Sequence, residues 1–249
     1  MKSVEPLRRS LKTAGLYLWR EWIRPFGLFF LIVAPLKSAV VDWNWVPSGS
    51  MKPTILEGDL VFIDKLAYDL RVPFTTTRLA EWGAPARGDV VVCFSPADGT
   101  RLVKRVIGLP GDTIETLNNV LFVNGQAQSY SQVQATPYVR DVFEDTDPLI
   151  AIEHLEGHEH LVMVLPNRPA LRSTAPFVVP DDHYFMMGDS RDNSTDSRFF
   201  GAVPRRDIIG RATGVLVSFD PQRFLLPRFN RWGRMQSFLE PERGTTDGY

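Results

Sequence analysis

The sequence predicts a mainly β domain carried behind a single apolar helix, and three observations predict it. One uncharged apolar run lies near the start, between Arg24 and Lys37. Beyond Val46 come short β-branched or apolar runs broken by Gly, Pro, Asp and Asn. No helical run of comparable strength follows residue 50. With 249 residues, 44% of them hydrophobic, the chain can bury a real core as one large domain or two small ones. A net charge of -1 excludes nucleic-acid recognition through a global positive field. The single cysteine, Cys93, excludes an intrachain disulfide and a cysteine-built metal site. It lies in the run Val90–Phe94 with nothing basic adjoining it, and so reads as a buried strand cysteine.

The first element is basic. Lys2, Arg8, Arg9, Lys12, Arg20 and Arg24 face only Glu5 and Glu21 before residue 25. Leu7, Leu11, Ala14, Leu18 and Trp22 recur at helical spacing, which predicts an amphipathic helix over 7–24 along a membrane surface, with a break at Pro25. The apolar run 26–41 follows, and at ~1.5 Å per residue it spans roughly 24 Å, short of a ~30 Å hydrocarbon core. Trp19 and Trp22 before it and Trp43 and Trp45 after it sit where interfacial belts belong, and Lys37 can snorkel outward. The basic cluster then predicts residues 1–25 in the cytoplasm, 26–41 as a transmembrane anchor and 42–249 outside. Two rivals remain. The uncharged residues between Arg24 and Lys37 also suit a buried helix of a soluble protein. A cleaved leader would explain the basic start, but no small-x-small pair follows the core: Lys37 precedes Ala39 by two, and Leu36 precedes Ser38 by two.

Strands are predicted over Leu60–Ile63, Asp89–Phe94, Leu102–Ile107, Val120–Val123, Leu161–Leu165, Tyr184–Met187 and Arg211–Phe219. Asn124-Gly125 marks a hairpin turn. The more polar stretch 113–179 reads as an inserted β subdomain. It holds His154, His158 and His160, which invite a zinc site. Their neighbours Glu153, Glu156, Gly157 and Glu159 read instead as a solvated turn, and no fourth ligand has a recognisable spacing, so no metal or other cofactor is expected. The tail 240–249 is polar and Gly-rich, and is expected to fray.

Three clusters carry chemistry. Pro47-Ser48-Gly49-Ser50-Met51-Lys52-Pro53-Thr54 presents two hydroxyls on a sharp turn directly after the anchor. Taken alone it is a plain turn. A serine nucleophile needs a base, no histidine sits in a suggestive motif, and Lys104 shares a strand face with Leu102 and Val106. An ordinary lysine, pKa ~10.4, is almost wholly charged at neutral pH, so it serves as a base only if burial lowers its pKa by roughly 3 units. An edge-strand lysine facing water is the plain alternative. The third cluster, Gly188-Asp189-Ser190-Arg191-Asp192-Asn193-Ser194-Thr195-Asp196-Ser197-Arg198, lacks the glycine and terminal glutamate of a calcium loop. Its alternating acids and arginines suggest a self-bracing loop.

In this order the three clusters resemble the bacterial type I signal peptidase (leader peptidase) family of Ser/Lys proteases. The resemblance covers Val46–Leu60, Arg101–Asp112 and Pro180–Gly201, plus the strand Gly210–Val217. It implies signal-peptidase-like antiparallel sheets forming a catalytic core, and a membrane-bound endopeptidase that removes signal peptides from exported preproteins, cutting after small residues through an acyl-enzyme. Ser50 would be the nucleophile and Lys104 the general base. Ser194 would orient the lysine, and Ser48 with the Ser50 N–H would form the oxyanion hole. Arg105, Asp189, Arg191, Asp196 and Arg198 would brace the site, and Val46 and Val103 would line the pockets for the substrate's -1 and -3 residues. Signal peptides and membrane lipids would be the partners of a monomer in the bacterial inner membrane, with no nucleic acid. One departure is that some relatives carry two spans before the nucleophile, whereas one is arguable here. A self-cleaving repressor would need a DNA-binding module upstream of the serine, where this chain has its apolar run. A membrane-tethered binding module would leave Ser50, Lys104 and Ser194 dispensable.

Overall fold

The computed structural model describes residues 17–75, 77–133, 148–220 and 226–228. Most of the basic, amphipathic start and the whole of the 240–249 tail therefore lie outside the described residues. The first described element is a π-helical turn, Trp19–Ile23, running without interruption into an α-helix, Arg24–Ala39. Pro25 thus does not break the chain's course. It has no N–H to give and its ring crowds the preceding turn, and the helix widens there, the Arg24 N–H reaching back to the Trp19 carbonyl. Because the helix begins at Trp19 rather than Phe26, it is 21 residues long, about 31 Å at the usual rise, and the shortfall of the apolar run alone disappears. Among the described residues it is the one helix long and apolar enough to cross a membrane. Phe26, Leu28, Phe29, Phe30, Leu31 and Ile32 are all exposed along it, which rules out the buried helix of a soluble core.

The helix stops at Ala39, and Val41 already belongs to a strand, Val41–Trp45, on the edge of the main sheet. Trp43 and Trp45 are therefore strand residues. Both stay exposed, Trp45 stacked on Phe219 and Lys37 Nζ standing 3.8 Å from the Trp43 ring centroid. The main sheet is antiparallel and runs in the order Val41–Trp45, Asp59–Asp64, Ile208–Asp220, Val90–Phe94, Arg101–Gly108, His183–Met187, Val203–Pro204, with Leu226–Pro227 paired to Ile208–Asp220.

Alternation explains why Val90 to Cys93 form an unbroken apolar run. Val90 and Val92 enter a core with Met51, Ile55, Val61 and Ile63, while Val91 and Cys93 enter another with Val106, Tyr184 and Met186 on the opposite face. Cys93 is buried as expected, and burial pushes its thiol up to about 12. A basic group does adjoin it, however: Lys104 is paired across the strands with Val91, next but one to Cys93, and its charge works against that rise.

The inserted stretch forms two small sheets. One orders Thr174–Val178, Thr113–Leu117, Val120–Val123 and Gln126–Ala127; the other orders Ser129–Gln132, Leu149–Leu155 and His158–Val164. Asn124 and Gly125 both take positive φ, 51° and 78°, the signature of a type I′ hairpin turn. The insertion is not a separate body, because Ile114, Leu121, Val123 and Leu155 share a core with Ile107, Phe185 and Met187 of the main sheet. A short hairpin, Asp69–Arg71 with Arg78–Glu81, has no apolar alternation to announce it and appears only in the structure.

Candidate active site

The turn carrying Ser50 is a single 3₁₀ turn, Gly49–Met51. It is pinned from below, because Met51 and Ile55 are fully buried in the core under the main sheet. Ser48 precedes it in extended conformation, exposed, with its hydroxyl not spent on capping. The Ser50 N–H lies in the first turn, where a helical N–H has no intrahelical acceptor.

Lys104 comes from the Arg101–Gly108 strand. Its Nζ donates to Ser50 Oγ at 2.7 Å and to the Val103 carbonyl at 3.1 Å. The side chain is buried, and that burial holds its pKa below the ordinary 10.5 even though Asp196, Cys93 and Asp189 pull the other way. Those two carboxylates are weak opponents because each is already answered. Asp189 takes Arg105 Nε at 2.8 Å and Nη2 at 2.7 Å, and the Thr54 hydroxyl donates to it as well. Asp196 takes Arg198 Nε and Nη2, both at 2.8 Å, and the Gly188 N–H at 2.9 Å. Burial opposes both acids' ionisation, but the arginines beside them hold both carboxyls below their ordinary value. Among the described residues, no carboxylate forms an ion pair with Lys104, so none cancels the lowering that burial imposes on its amine.

The loop after His183–Met187 closes over the turn that carries Ser50. The Ser190 N–H donates to the Ser50 carbonyl at 3.1 Å. At Gly188 a Cβ would stand 2.3 Å from Ser194 Oγ and 2.4 Å from the Ser50 carbonyl oxygen, so glycine alone lets these segments meet. A hydroxyl, a buried amine with a lowered pKa and a free N–H on one turn can perform nucleophilic acyl transfer.

A family model described as signal peptidase, peptidase S26, matches residues 19–217. The chain belongs to that family. Signal peptidase I of Pseudomonas aeruginosa is 37% identical over 226 residues, which are 86% of this chain and 78% of that one. Signal peptidase I of Aquifex aeolicus is 32% identical over 228 residues, 80% of this chain and 84% of that one. A solved signal peptidase I from Enterococcus faecalis aligns at 30% identity and a TM-score of 0.32, over 52% of this chain and 97% of that one. As a peptidase S26 chain the protein is a serine endopeptidase.

Within this signal peptidase fold the motif residues do not all touch. Ser50 and Lys104 meet. Ser194 Oγ is buried near them, yet among the described residues it has no hydrogen-bond partner within 3.5 Å, Lys104 included; its influence on Asp196 is to help hold that carboxyl down. Val46 and Val103 are buried in the core beneath the turn. The loop is also not self-bracing throughout. Arg198 with Asp196 is internal to it, but Asp189 is held by Arg105, Asp192 by Asn119 and Arg172, and Arg191 by Glu153.

Glu153 and His160 are the largest departure from the sequence reading. The turn itself lies at Glu156-Gly157, and Glu159 is exposed. Glu153 and His160, paired across the hairpin, are fully buried, with His160 Nε2 3.1 Å from the Glu153 carboxylate. Glu153 also accepts from both terminal nitrogens of Arg191 and from the Tyr130 hydroxyl. Burial opposes its ionisation, but Arg191 and His160 hold its carboxyl well below the ordinary range. His160 sits low too, because burial and then Arg105 disfavour its charge. The three histidines do not converge, and among the described residues no His, Cys, Asp and Glu cluster suits a metal.

Proposed function

We propose that this family member removes signal peptides from exported preproteins by a Ser50/Lys104 dyad. The observation that carries the reading is the 2.7 Å contact between Lys104 Nζ and Ser50 Oγ within a buried site. Neutral Lys104 takes the Ser50 proton as Oγ attacks the scissile carbonyl. The oxyanion is met by the Ser50 N–H and the exposed Ser48 hydroxyl. Lys104 then returns the proton to the leaving amine, and water hydrolyses the acyl-enzyme with the lysine as base again. Ser194, a buried hydroxyl close to the pair, is the residue this reading assigns to orienting the lysine. Val46 and Val103, buried in the core beside the turn, are the residues this reading assigns to the pockets for small residues at the substrate's -1 and -3 positions.

The same reading sets the Trp19–Ala39 helix across the inner membrane, with the basic start in the cytoplasm and the β domain outside. That geometry brings Ser50 to a substrate still embedded in the bilayer. The chain acts as a monomer among membrane lipids, with no nucleic acid. Cleavage of a purified preprotein by the wild type, Ser50→Ala and Lys104→Ala tests the dyad: both variants are expected to lose at least about a thousandfold in kcat, and full activity in either overturns it.

A further inference from the structure

Where the Arg24–Ala39 helix ends, a cavity of about 540 Å³ lies between the helix terminus and the main sheet, and Ser38, Asp42, Lys65, Arg71, Phe74 and Arg101 line it. Its charges do not balance. Asp69 meets Arg71 and is shared with Arg78 and Arg205. Asp42 alone faces three cations: Arg101 at 2.9 Å, Lys65 at 3.7 Å and Lys37 at 3.9 Å. Three positive charges on one carboxylate leave a surplus of two. Burial first, and Arg101 and Arg71 after it, hold the Lys65 ammonium below its ordinary pKa against the pull of Asp42.

Donors are also left over. Lys65 Nζ spends one proton on the Ser38 carbonyl at 2.8 Å, which caps the helix, and among the described residues Arg101 donates through Nη2 while its buried Nε has no partner. Helix capping therefore accounts for one of these cations and not for the surplus. The apolar rim points to the missing partner. Phe74 is 73% exposed and Phe94 40%, and Leu79 and Trp82 stand exposed on the same hairpin as Phe74. A free anion would gain nothing from that rim, whereas an anionic headgroup brings an acyl chain with it.

We propose that this cavity holds the phosphate of an anionic phospholipid of the leaflet in which the helix ends, with Lys65 and Arg101 as its ligands and Phe74 and Phe94 against the lipid's apolar part. The proposal rests on the reading of the helix as a membrane anchor, and needs nothing of the catalytic dyad.

The test is retention of lipid by the full chain in detergent, read by native mass spectrometry with phosphatidylglycerol or phosphatidylcholine added. The wild type should keep a phosphatidylglycerol and release phosphatidylcholine. Each lost charge should weaken retention about fivefold, in Lys65→Gln, in Arg101→Gln and in Lys37→Gln, which shares Asp42 from outside the cavity's lining with a side chain 42% exposed. Equal retention of the two lipids, or unchanged retention in all three variants, overturns the proposal. So does displacement of phosphatidylglycerol by millimolar inorganic phosphate, which would make the site one for free anions. Cleavage of a soluble signal-peptide substrate in detergent should continue at the wild-type rate in these variants, so that a failure of lipid binding and a failure of the peptidase reading are told apart.

Discussion

Arg105 and Asp189 form a buried two-pronged ion pair one residue along the strand from Lys104, with Arg105 Nη1 also donating to the Gly88 carbonyl at 2.7 Å. The pair does two things. It ties the strand bearing Lys104 to the loop over the Ser50 turn, and it neutralises a carboxylate that would otherwise help to restore the lysine's charge. Removing the guanidinium strands a buried acid, so Arg105→Ala should cost about 3–5 kcal/mol in urea unfolding. Arg105→Lys keeps the charge but loses the fork, and should cost less. A loss under 1 kcal/mol for Arg105→Ala would show that the pair does not hold the loop.

The lowered pKa of Lys104 is also a statement about stability. A base whose folded pKa lies below its unfolded value binds fewer protons when folded, so between that folded pKa and 10.5 stability rises with pH. At neutral pH the buried amine therefore weakens the fold. Lys104→Met should be inactive yet more stable than the wild type at pH 7, with the difference shrinking as pH approaches 10.5. Activity of the wild type should climb through the lowered lysine pKa. In Asp196→Asn, which removes the strongest influence sustaining the ammonium, that limb should move to lower pH. A limb that moves upward refutes the electrostatic account.

Much of the fold is legible in the sequence wherever burial writes a pattern. Val90 to Cys93 and Leu102 to Ile107 read as strands because cores cover both faces, and Asn124-Gly125 reads as a turn because both residues must take positive φ. The meeting of Ser50 and Lys104 is legible only through their motifs, since Lys104 on its own looks like any strand lysine. Glu153 and His160 are not legible. Polar neighbours mask them, and nothing local says that their partner Arg191 lies 38 residues away from Glu153. Asp69–Arg71 and Arg78–Glu81 escape for a related reason, because charge pairing rather than apolar alternation fixes them.

Gly188 offers a test of the loop's placement that changes no charge. A methyl there would collide with Ser194 Oγ and the Ser50 carbonyl at 2.3 and 2.4 Å, and the second of these is backbone that cannot rotate away. Gly188→Ala should push the loop off the nucleophile's turn while leaving the sheets folded. A displacement near 1 Å lowers kcat about a hundredfold, with an unchanged far-ultraviolet circular dichroism spectrum. Wild-type kcat would mean that the loop does not set the position of Ser50.

The Glu153–Arg191 pair gives the inserted sheet a role in the site. Arg191 belongs to the same loop as Ser190, whose N–H holds the Ser50 carbonyl, and its guanidinium is neutralised by a strand of the insertion. Both partners are almost wholly buried, so either one alone is an unpaired charge in the core. Glu153→Gln should therefore destabilise by about 3–5 kcal/mol. It should also lower kcat more than it raises KM, because the disturbance reaches the nucleophile's turn rather than the substrate's contacts. Arg191→Met alone should behave similarly. The double variant Glu153→Gln, Arg191→Met removes both charges of the pair together and should recover at least half of the stability lost by the worse single change. Simple additivity of the two losses would show that the residues act separately, and that the insertion does not support the catalytic loop through this pair.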